Sequence, residues 1–267
     1  MLKCKLMKLA LYMPQEDGRL SGFLHELKDF DVYEVSSSED LRRDTDMLLS
    51  AGGDGTFLSA ARIVAGRGIP VLGVNFGRMG FLSEYAPSDV IDALRKGQYA
   101  VEEREMLQVQ VNGGEPMTAL NEVCVSRCGA AMLGVDAVLD GQSLPTYWAD
   151  GLLVATSSGS TAYSLSVGGP ICHPEAKVLI ISPVAPHNLN ARPLIVPSSA
   201  VISLSLRCRD STAALALDNR HFTVGADVRL DISLAQFSLG RVRLSKSDFI
   251  GALRSKLFWG EDVRNET

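Results

Sequence analysis

The 267-residue sequence has little of what marks several protein classes. It contains only four histidines, aromatic residues make up 6%, the net charge is -5, and no basic tract occurs. A nucleic-acid partner, which needs a basic footprint and bases stacked on aromatic rings, is therefore not expected. No apolar stretch reaches the ~18 to 20 residues that span a bilayer, so no membrane partner is expected either. The first thirteen residues carry lysines inside an apolar run and lack a small-residue cleavage site. They read as a first strand rather than a signal peptide, and a cytoplasmic location follows as the expectation. Five cysteines, Cys4, Cys124, Cys128, Cys172 and Cys208, form an odd and scattered set that suits reduced thiols. Cys124-x-x-x-Cys128 has no second pair at ligand spacing, so no side chain is assigned as a metal ligand.

What is present points to an ordinary globular protein. Hydrophobic residues make up 46% and charged residues 21%, which excludes disordered and fibrous classes. Over the first ninety residues short apolar runs (8–13, 32–35, 47–51, 69–74) alternate with helical patterns (20–27, 56–65, 88–95), the signature of an open parallel sheet covered by helices. After Gly97 the pattern turns to strands, at 101–111, 118–125, 133–139, 152–156, 178–182, 201–206, 213–217, 229–232 and 242–245. The expected architecture is an α/β N-terminal domain with a mostly parallel sheet over 1–97 and a β-rich, sandwich-like domain over 98–247. A C-terminal segment, 248–267, is expected to carry a helix that packs back on the first domain. A cleft between two closely joined domains is the natural place for a ligand.

Residues 47–57 read Met-Leu-Leu-Ser-Ala-Gly-Gly-Asp-Gly-Thr-Phe, a buried strand delivering a carboxylate into a tight turn. Gly52, Gly53 and Gly55 leave the main chain open to close approach. Asp54 sits at the tip, and Thr56 is placed to cap the helix that follows. A helix N-terminus with free amides attracts phosphate. The loop is neither Gly-x-x-x-x-Gly-Lys-Ser/Thr nor Gly-x-Gly-x-x-Gly, so phosphates would be held by amides and a metal without a loop lysine. The plain alternative is a turn in which Asp54 satisfies local amides.

Four further segments carry polar groups in places where a strand ends. Gly73-Val-Asn-Phe-Gly-Arg-Met-Gly-Phe-Leu82 follows the next parallel strand, so its loop and that of Asp54 lie at carboxyl ends and face one crevice. Asn75 there is a candidate to bond a ligand, and Phe81 either covers a base or belongs to the core. Asn121-Glu122 interrupts an apolar strand and offers an amide and a carboxylate, suited to a base edge and ribose hydroxyls. Asp150-Gly151, then Ser158-Gly-Ser-Thr161 and a helix start with Tyr163 and Ser166, gather hydroxyls, amides, a ring and a carboxylate. Ser158-Gly-Ser160 is not the Gly-x-Ser-x-Gly of a serine nucleophile. Finally, His187 and Arg192 stand in a loop stiffened by Pro183, Pro186 and Pro193, where either meets phosphate or bonds loop carbonyls.

Together these pieces resemble the NAD kinase family, which phosphorylates the adenosine-ribose 2′-hydroxyl of NAD to give NADP. The match rests on Gly52-Gly-Asp-Gly-Thr56, Gly73-x-Asn-x-Gly-x-x-Gly-Phe-Leu82, Asn121-Glu122, Ala149-Asp-Gly-x-x-x-Ala-Thr156, Gly159-Ser-Thr-Ala-Tyr163 with Gly168-Gly-Pro170, and Pro186-His187 with Arg192-Pro193. In order and spacing they cover nearly the whole chain. The resemblance implies that Asp54 is the catalytic carboxylate, and that Gly55, Phe81, Asn121, Glu122, Asp150, Thr161, Ala162, Tyr163, Ser166 and His187 line the dinucleotide site. Gly52, Gly53, Thr56 and Asn75 would shape the phosphate loops. It also implies Mg²⁺ or another divalent cation, ATP or polyphosphate as phosphoryl donor, and a homo-oligomer, dimer or tetramer, whose neighbouring subunit completes each site.

Two departures from the family pattern stand out. Ser157 replaces a common proline in the turn before Gly159, and Asp218-Asn219-Arg220 stands where Asp-Gly-Gln is common. The second leaves Asp218 without an inherited role and makes Arg220 a candidate to adjust donor or effector binding. Gly-Gly-Asp-Gly also occurs in lipid kinases, and a dinucleotide-binding sensor without catalysis is the rival of another class. A lipid kinase needs an acyl groove and leaves Asp150 through Tyr163 unexplained.

Overall fold

The computed structural model describes residues 6–14, 20–77, 80–245 and 248–260. Cys4, Arg78, Met79 and the last seven residues lie outside the described residues. The chain divides into two units, one formed by 1–103 with 239–267 and the other by 104–238.

The first unit runs β1 (Lys8–Tyr12), α1 (Leu20–Glu26), β2 (Asp31–Val35), β3 (Met47–Ala51), α2 (Asp54–Ile63), β4 (Val71–Val74), α3 (Pro87–Lys96) and β5 (Tyr99–Arg104). The strand Leu239–Leu244 returns to complete its sheet, in the order β2-β1-β3-β4, then Leu239–Leu244, then β5. β1 lies parallel to β2 and β3, and β4 lies parallel to β3 and to Leu239–Leu244. Both faces of this sheet are covered, which is why β3 and β4 are near-continuous apolar runs, broken only by the small Ser50 and Gly73, with every residue buried rather than alternating. The core gathers Leu9, Leu11, Leu49, Leu72, Val90, Ile91, Val242 and Leu244. Pro87 opens α3 at its first position, and Gly97 closes it in the left-handed region at φ 62°.

The second unit is built from β6 (Leu107–Val111), β7 (Met117–Ala119), β8 (Glu122–Arg127), β9 (Leu133–Leu139), β10 (Gln142–Ser143), β11 (Tyr147–Ala149) and β12 (Gly151–Thr156). A short helix α4 (Tyr163–Ser166) intervenes, then β13 (Val178–Val184), β14 (Leu194–Pro197), β15 (Ile202–Arg207), β16 (Thr212–Leu217), β17 (Arg220–Gly225) and β18 (Arg229–Leu234). One antiparallel sheet has the order β10-β9-β15-β18-β6-β7, with β11 also paired to β9, and the other has β14-β13-β12-β8-β16-β17. Their inner faces share one core of Leu107, Val109, Val123, Leu152, Ile202, Leu215 and Leu230. β16 shows the two-residue period behind this packing, since Ala213, Leu215 and Leu217 are buried while the residues between them are not. β12 is buried along its whole length because Leu153 and Ala155 pack with Cys124 and Ile180 on the opposite face.

The α/β unit with its parallel sheet and the β-rich unit match the expected fold class. The unit boundaries, at 103/104 and 238/239, differ from the expected 97/98 and 247/248. The reason is burial: Val242 and Leu244 complete the first unit's core, and a strand read as the end of the β-rich domain belongs to the parallel sheet instead. The expected strand 101–111 is two strands broken at Glu105-Met106, and 118–125 is two strands broken at Leu120-Asn121. The terminal helix is Phe249–Leu257, in the first unit, with Asp248 accepting the Gly251 amide as its N-cap and Leu253 buried. No helix among the described residues is long and apolar enough to cross a membrane.

Candidate active site

In the first unit, β3 stops where Gly52 donates its amide to Val74 O at 2.9 Å and the chain turns into α2. A Cβ on Gly52 would stand 2.4 Å from Thr56 Oγ1, so glycine is required for the turn to close on the threonine. The helix begins at Asp54, with Gly53 at the N-cap and no side-chain cap. Thr56 therefore does not cap it, as the sequence reading had it, but sits inside the first turn.

Asp54 reaches across to the second glycine loop. Its Oδ2 accepts the amide of Phe81 at 2.8 Å, and its Oδ1 accepts those of Leu82 at 3.0 Å and Ser83 at 2.9 Å. Gly80 makes this possible, because a Cβ there would fall 1.9 Å from Asp54 Oδ1. Asn75, buried at the end of β4, ties the same loop from inside by donating to Ser83 O at 2.7 Å and accepting the Gly77 amide at 2.6 Å.

The carbonyl side of the loop is held by cations. Arg241 donates to Phe81 O at 3.1 Å and pairs with Glu84. Lys256, from the terminal helix, donates to Gly80 O, lies 5.0 Å over the Phe81 ring and stands 3.6 Å from Glu84. Burial pulls the Lys256 ammonium below the ordinary lysine range, and the charges of Glu84 and Asp54 oppose that pull. Phe81 is thus half-buried beneath a lysine, between the two roles its sequence left open.

The second unit assembles its polar group around the break before β8. Asn121 and Glu122 are both buried. Gly159 packs directly on Asn121, whose carbonyl would lie 2.2 Å from a Cβ at that position. Thr156 fixes the register by donating its amide to Asn121 O at 2.9 Å and its hydroxyl to Leu120 O at 2.7 Å, while accepting the Gly159 amide at 3.1 Å. The chain then makes a 3₁₀ turn, Ser158–Thr161, and the helix Tyr163–Ser166, which sets the Tyr163 backbone against Glu122. The Tyr163 amide donates to the Glu122 carboxyl, yet Glu122 Oε2 is buried without a partner. Burial, and then the charge of Asp218, push Glu122 up to about 8, so it holds its proton at neutral pH.

Asp218 stands at the β16–β17 turn in the left-handed region, φ 51°, and accepts the amides of Leu120 and Asn121 at 2.8 Å and of Glu122 at 3.2 Å. It has a backbone-shaping role that the departure from the family pattern did not suggest. Arg220 bonds Thr118 O and lies over the Phe222 ring.

Asp150, just before β12, is gripped in a forked pair by Arg127, Nε to Oδ1 at 2.6 Å and Nη2 to Oδ2 at 3.3 Å. That guanidinium holds the Asp150 carboxyl below the ordinary carboxylate range. The Tyr163 hydroxyl is pushed up by burial first, and then by the charges of Cys124, Asp150 and Glu122 around it. His187 is exposed; its amide donates to Trp148 O at 2.8 Å, which sets its loop beside β11. Arg192 bonds Leu189 O and Ala191 O, the loop-holding role of the two it was given. Ser166 is exposed at the end of its short helix.

The structure thus brings Glu122, Asp150 and Tyr163 within electrostatic reach of one another in the second unit, with Asn121, Thr161 and Ala162 on adjoining residues, and Asp54, Phe81 and Asn75 onto one loop in the first. Sequence reasoning missed Arg127, Arg241 and Lys256, and gave Gly80 only as part of the loop motif. Arg127 carried one available signal, a charged residue closing the apolar strand that begins at Asn121-Glu122. Among the described residues no three His, Cys, Asp or Glu side chains gather to hold a metal ion, and both Asp54 oxygens are engaged by amides.

The comparisons with known proteins meet this geometry in both units. Residues 10–99 match the model of the ATP-NAD kinase N-terminal domain and residues 120–244 that of the ATP-NAD kinase C-terminal domain. The chain belongs to the NAD kinase family. Among its relatives, the NAD kinase of Flavobacterium psychrophilum is 40% identical over 239 residues, 86% of this chain and 81% of that protein. The NAD kinase of Porphyromonas gingivalis is 41% identical over 253 residues, 93% and 88% of the two chains. Among solved structures, an NAD kinase from Archaeoglobus fulgidus in complex with ATP aligns with a TM-score of 0.76 at 26% identity, covering 93% of this chain and 98% of its own. Yeast NADH kinase complexed with NADH shares the fold, with a TM-score of 0.88 at 20% identity over 99% and 91%.

Proposed function

We propose that this NAD kinase transfers the terminal phosphoryl group of ATP to the adenosine-ribose 2′-hydroxyl of NAD, with Asp54 as the carboxylate that orients the hydroxyl. The observation that carries this reading is the fixed carboxylate of Asp54, set by three amides of the neighbouring loop at the carboxyl ends of two parallel strands. Phosphoryl transfer passes through a loose transition state, so the protein contributes mainly alignment and charge stabilisation. A carboxylate pinned by amides suits alignment.

In the second unit Asn121, Thr161, Ala162 and Tyr163 bind the dinucleotide with Asp150. Glu122 serves there as a protonated acid, able to donate a hydrogen bond as well as accept one. Gly55, Ser166 and His187 complete this set by the family resemblance, as Gly52, Gly53, Thr56 and Asn75 do for the phosphate loops. The described residues form no protein-borne metal cage. A divalent cation such as Mg²⁺ typically keeps several waters and binds through substrate phosphates, so it would enter with the donor. Polyphosphate is an alternative donor in the same reading.

A homo-oligomer, dimer or tetramer, follows from the resemblance, and the edge strands β14 and β17 expose Ile195 and Phe222. A cytoplasmic location belongs to the same reading, on the odd and scattered set of five cysteines in the sequence. The test is a coupled assay for NADP with purified protein, NAD, Mg²⁺ and either ATP or polyphosphate. Turnover with either donor supports the kinase; tight NAD binding without turnover supports the non-catalytic sensor and rejects it.

A further inference from the structure

Two peptide units of the loop that holds Asp54 are each gripped at both ends. In the Gly80–Phe81 unit, the carbonyl accepts from the Lys256 ammonium while the N–H donates to Asp54 Oδ2 at 2.8 Å. In the Phe81–Leu82 unit, the carbonyl accepts from Arg241 at 3.1 Å while the N–H donates to Asp54 Oδ1 at 3.0 Å. Each amide thus stands as a bridge between a cation and the same carboxylate. Glu84 pairs with both cations and keeps them in place, and the Lys256 and Arg241 side chains are nine-tenths buried. Hydrogen bonds in such chains polarise one another, and a charged donor at one end strengthens the bond at the other. Gly80 leaves no side chain between loop and aspartate.

We propose that Lys256, on the terminal helix Phe249–Leu257, is a positioning residue for Asp54, acting through the Gly80–Phe81 peptide unit rather than by contact with substrate. The helix is then part of the catalytic apparatus. Arg241, on the strand that precedes it, supports the adjacent unit in the same way. Both come from the last thirty residues of the chain, far in sequence from the loop they hold.

The inference rests on the kinase reading only for its activity readout, and a second readout is independent of it. In the full-length protein, Lys256→Met removes the donor, while Lys256→Gln keeps an N–H for the Gly80 carbonyl without the charge. Steady-state kinetics and amide hydrogen exchange across residues 81–83 are measured for both. The expected result for Lys256→Met is a kcat lowered about tenfold or more with KM for NAD held within about twofold, as for an interaction that matters chiefly in the transition state. Exchange protection at 81–83 falls with it, and Lys256→Gln recovers part of both. Should Lys256→Met not fold, Lys256→Gln decides: a lowered kcat at constant KM supports the proposal. Wild-type kcat with wild-type protection in the folded variant overturns it, as does a rise in KM for NAD alone, which would make Lys256 a binding group. If the unmodified protein turns over no NAD, the kinase reading fails, and protection at 81–83 still decides this inference.

Discussion

Asp218 accepts the backbone amide of Glu122 at 3.2 Å while the buried Glu122 carboxyl keeps its proton beside it. Burial raises both acids, and at Asp218 three amide donors and the Arg220 charge oppose that rise. The sign for stability follows. A carboxyl whose folded value is about 8, against ~4.3 in the unfolded chain, contributes its full stabilisation below the unfolded value. That contribution falls as pH rises and is lost through the folded value. Thermal unfolding should therefore show Tm declining between pH 5 and pH 9, as an order-of-magnitude window set by those two values. Glu122→Gln should flatten the decline, leaving the share that belongs to Asp218. An unchanged slope in the variant would show that Glu122 does not hold the proton.

The amides on Asp54 shape what its amide variant does. Asp54→Asn turns one oxygen into an NH₂ facing either the Phe81 amide or those of Leu82 and Ser83. At least one buried donor then loses its acceptor, a cost of about 1–3 kcal/mol. Turnover should fall by orders of magnitude with NAD binding retained, and Tm should also drop. Calorimetric titration with NAD beside the coupled assay separates the two effects; near-normal turnover would remove Asp54 from its catalytic role.

Gly80 offers a sharper probe, since it touches the carboxylate without carrying chemistry. A methyl group 1.9 Å from Asp54 Oδ1 must displace the loop or the side chain. Misplacing a reacting group by about 1 Å costs roughly 100-fold in rate, so Gly80→Ala should lose about that much kcat. KM for NAD should move far less. A variant with wild-type kcat would mean that the carboxylate position is not critical.

How far the sequence could reveal this arrangement depends on distance along the chain. Asp54, Phe81, Asn121 and Tyr163 lie within glycine-punctuated loops at strand ends, so local pattern and spacing expose them, and the parallel sheet follows from the alternation before Gly97. The strand Leu239–Leu244 joins the parallel sheet although its apolar residues fit either a sandwich or a parallel sheet equally well. Lys256 and Arg241 were not found because their partners are Gly80 and Phe81 carbonyls, and a main-chain acceptor leaves no trace in composition. Asp218 was missed for the same reason, as its partners are three backbone amides. Thr56 was misjudged as a cap because the helix starts two residues earlier, on the aspartate itself.

The forked pair of Arg127 with Asp150 separates binding from folding. Both side chains are substantially exposed, so the pair adds little to stability. Its geometric effect is larger, because two parallel hydrogen bonds fix the plane of the Asp150 carboxylate that the kinase reading assigns to the dinucleotide. Arg127→Ala should therefore raise KM for NAD about tenfold with Tm almost unchanged and kcat at saturation largely kept, the pattern of lost uniform binding. Arg127→Lys should recover little of it, since an ammonium cannot reproduce the fork. Full recovery by lysine would show that charge, not orientation, is what Asp150 receives from its partner.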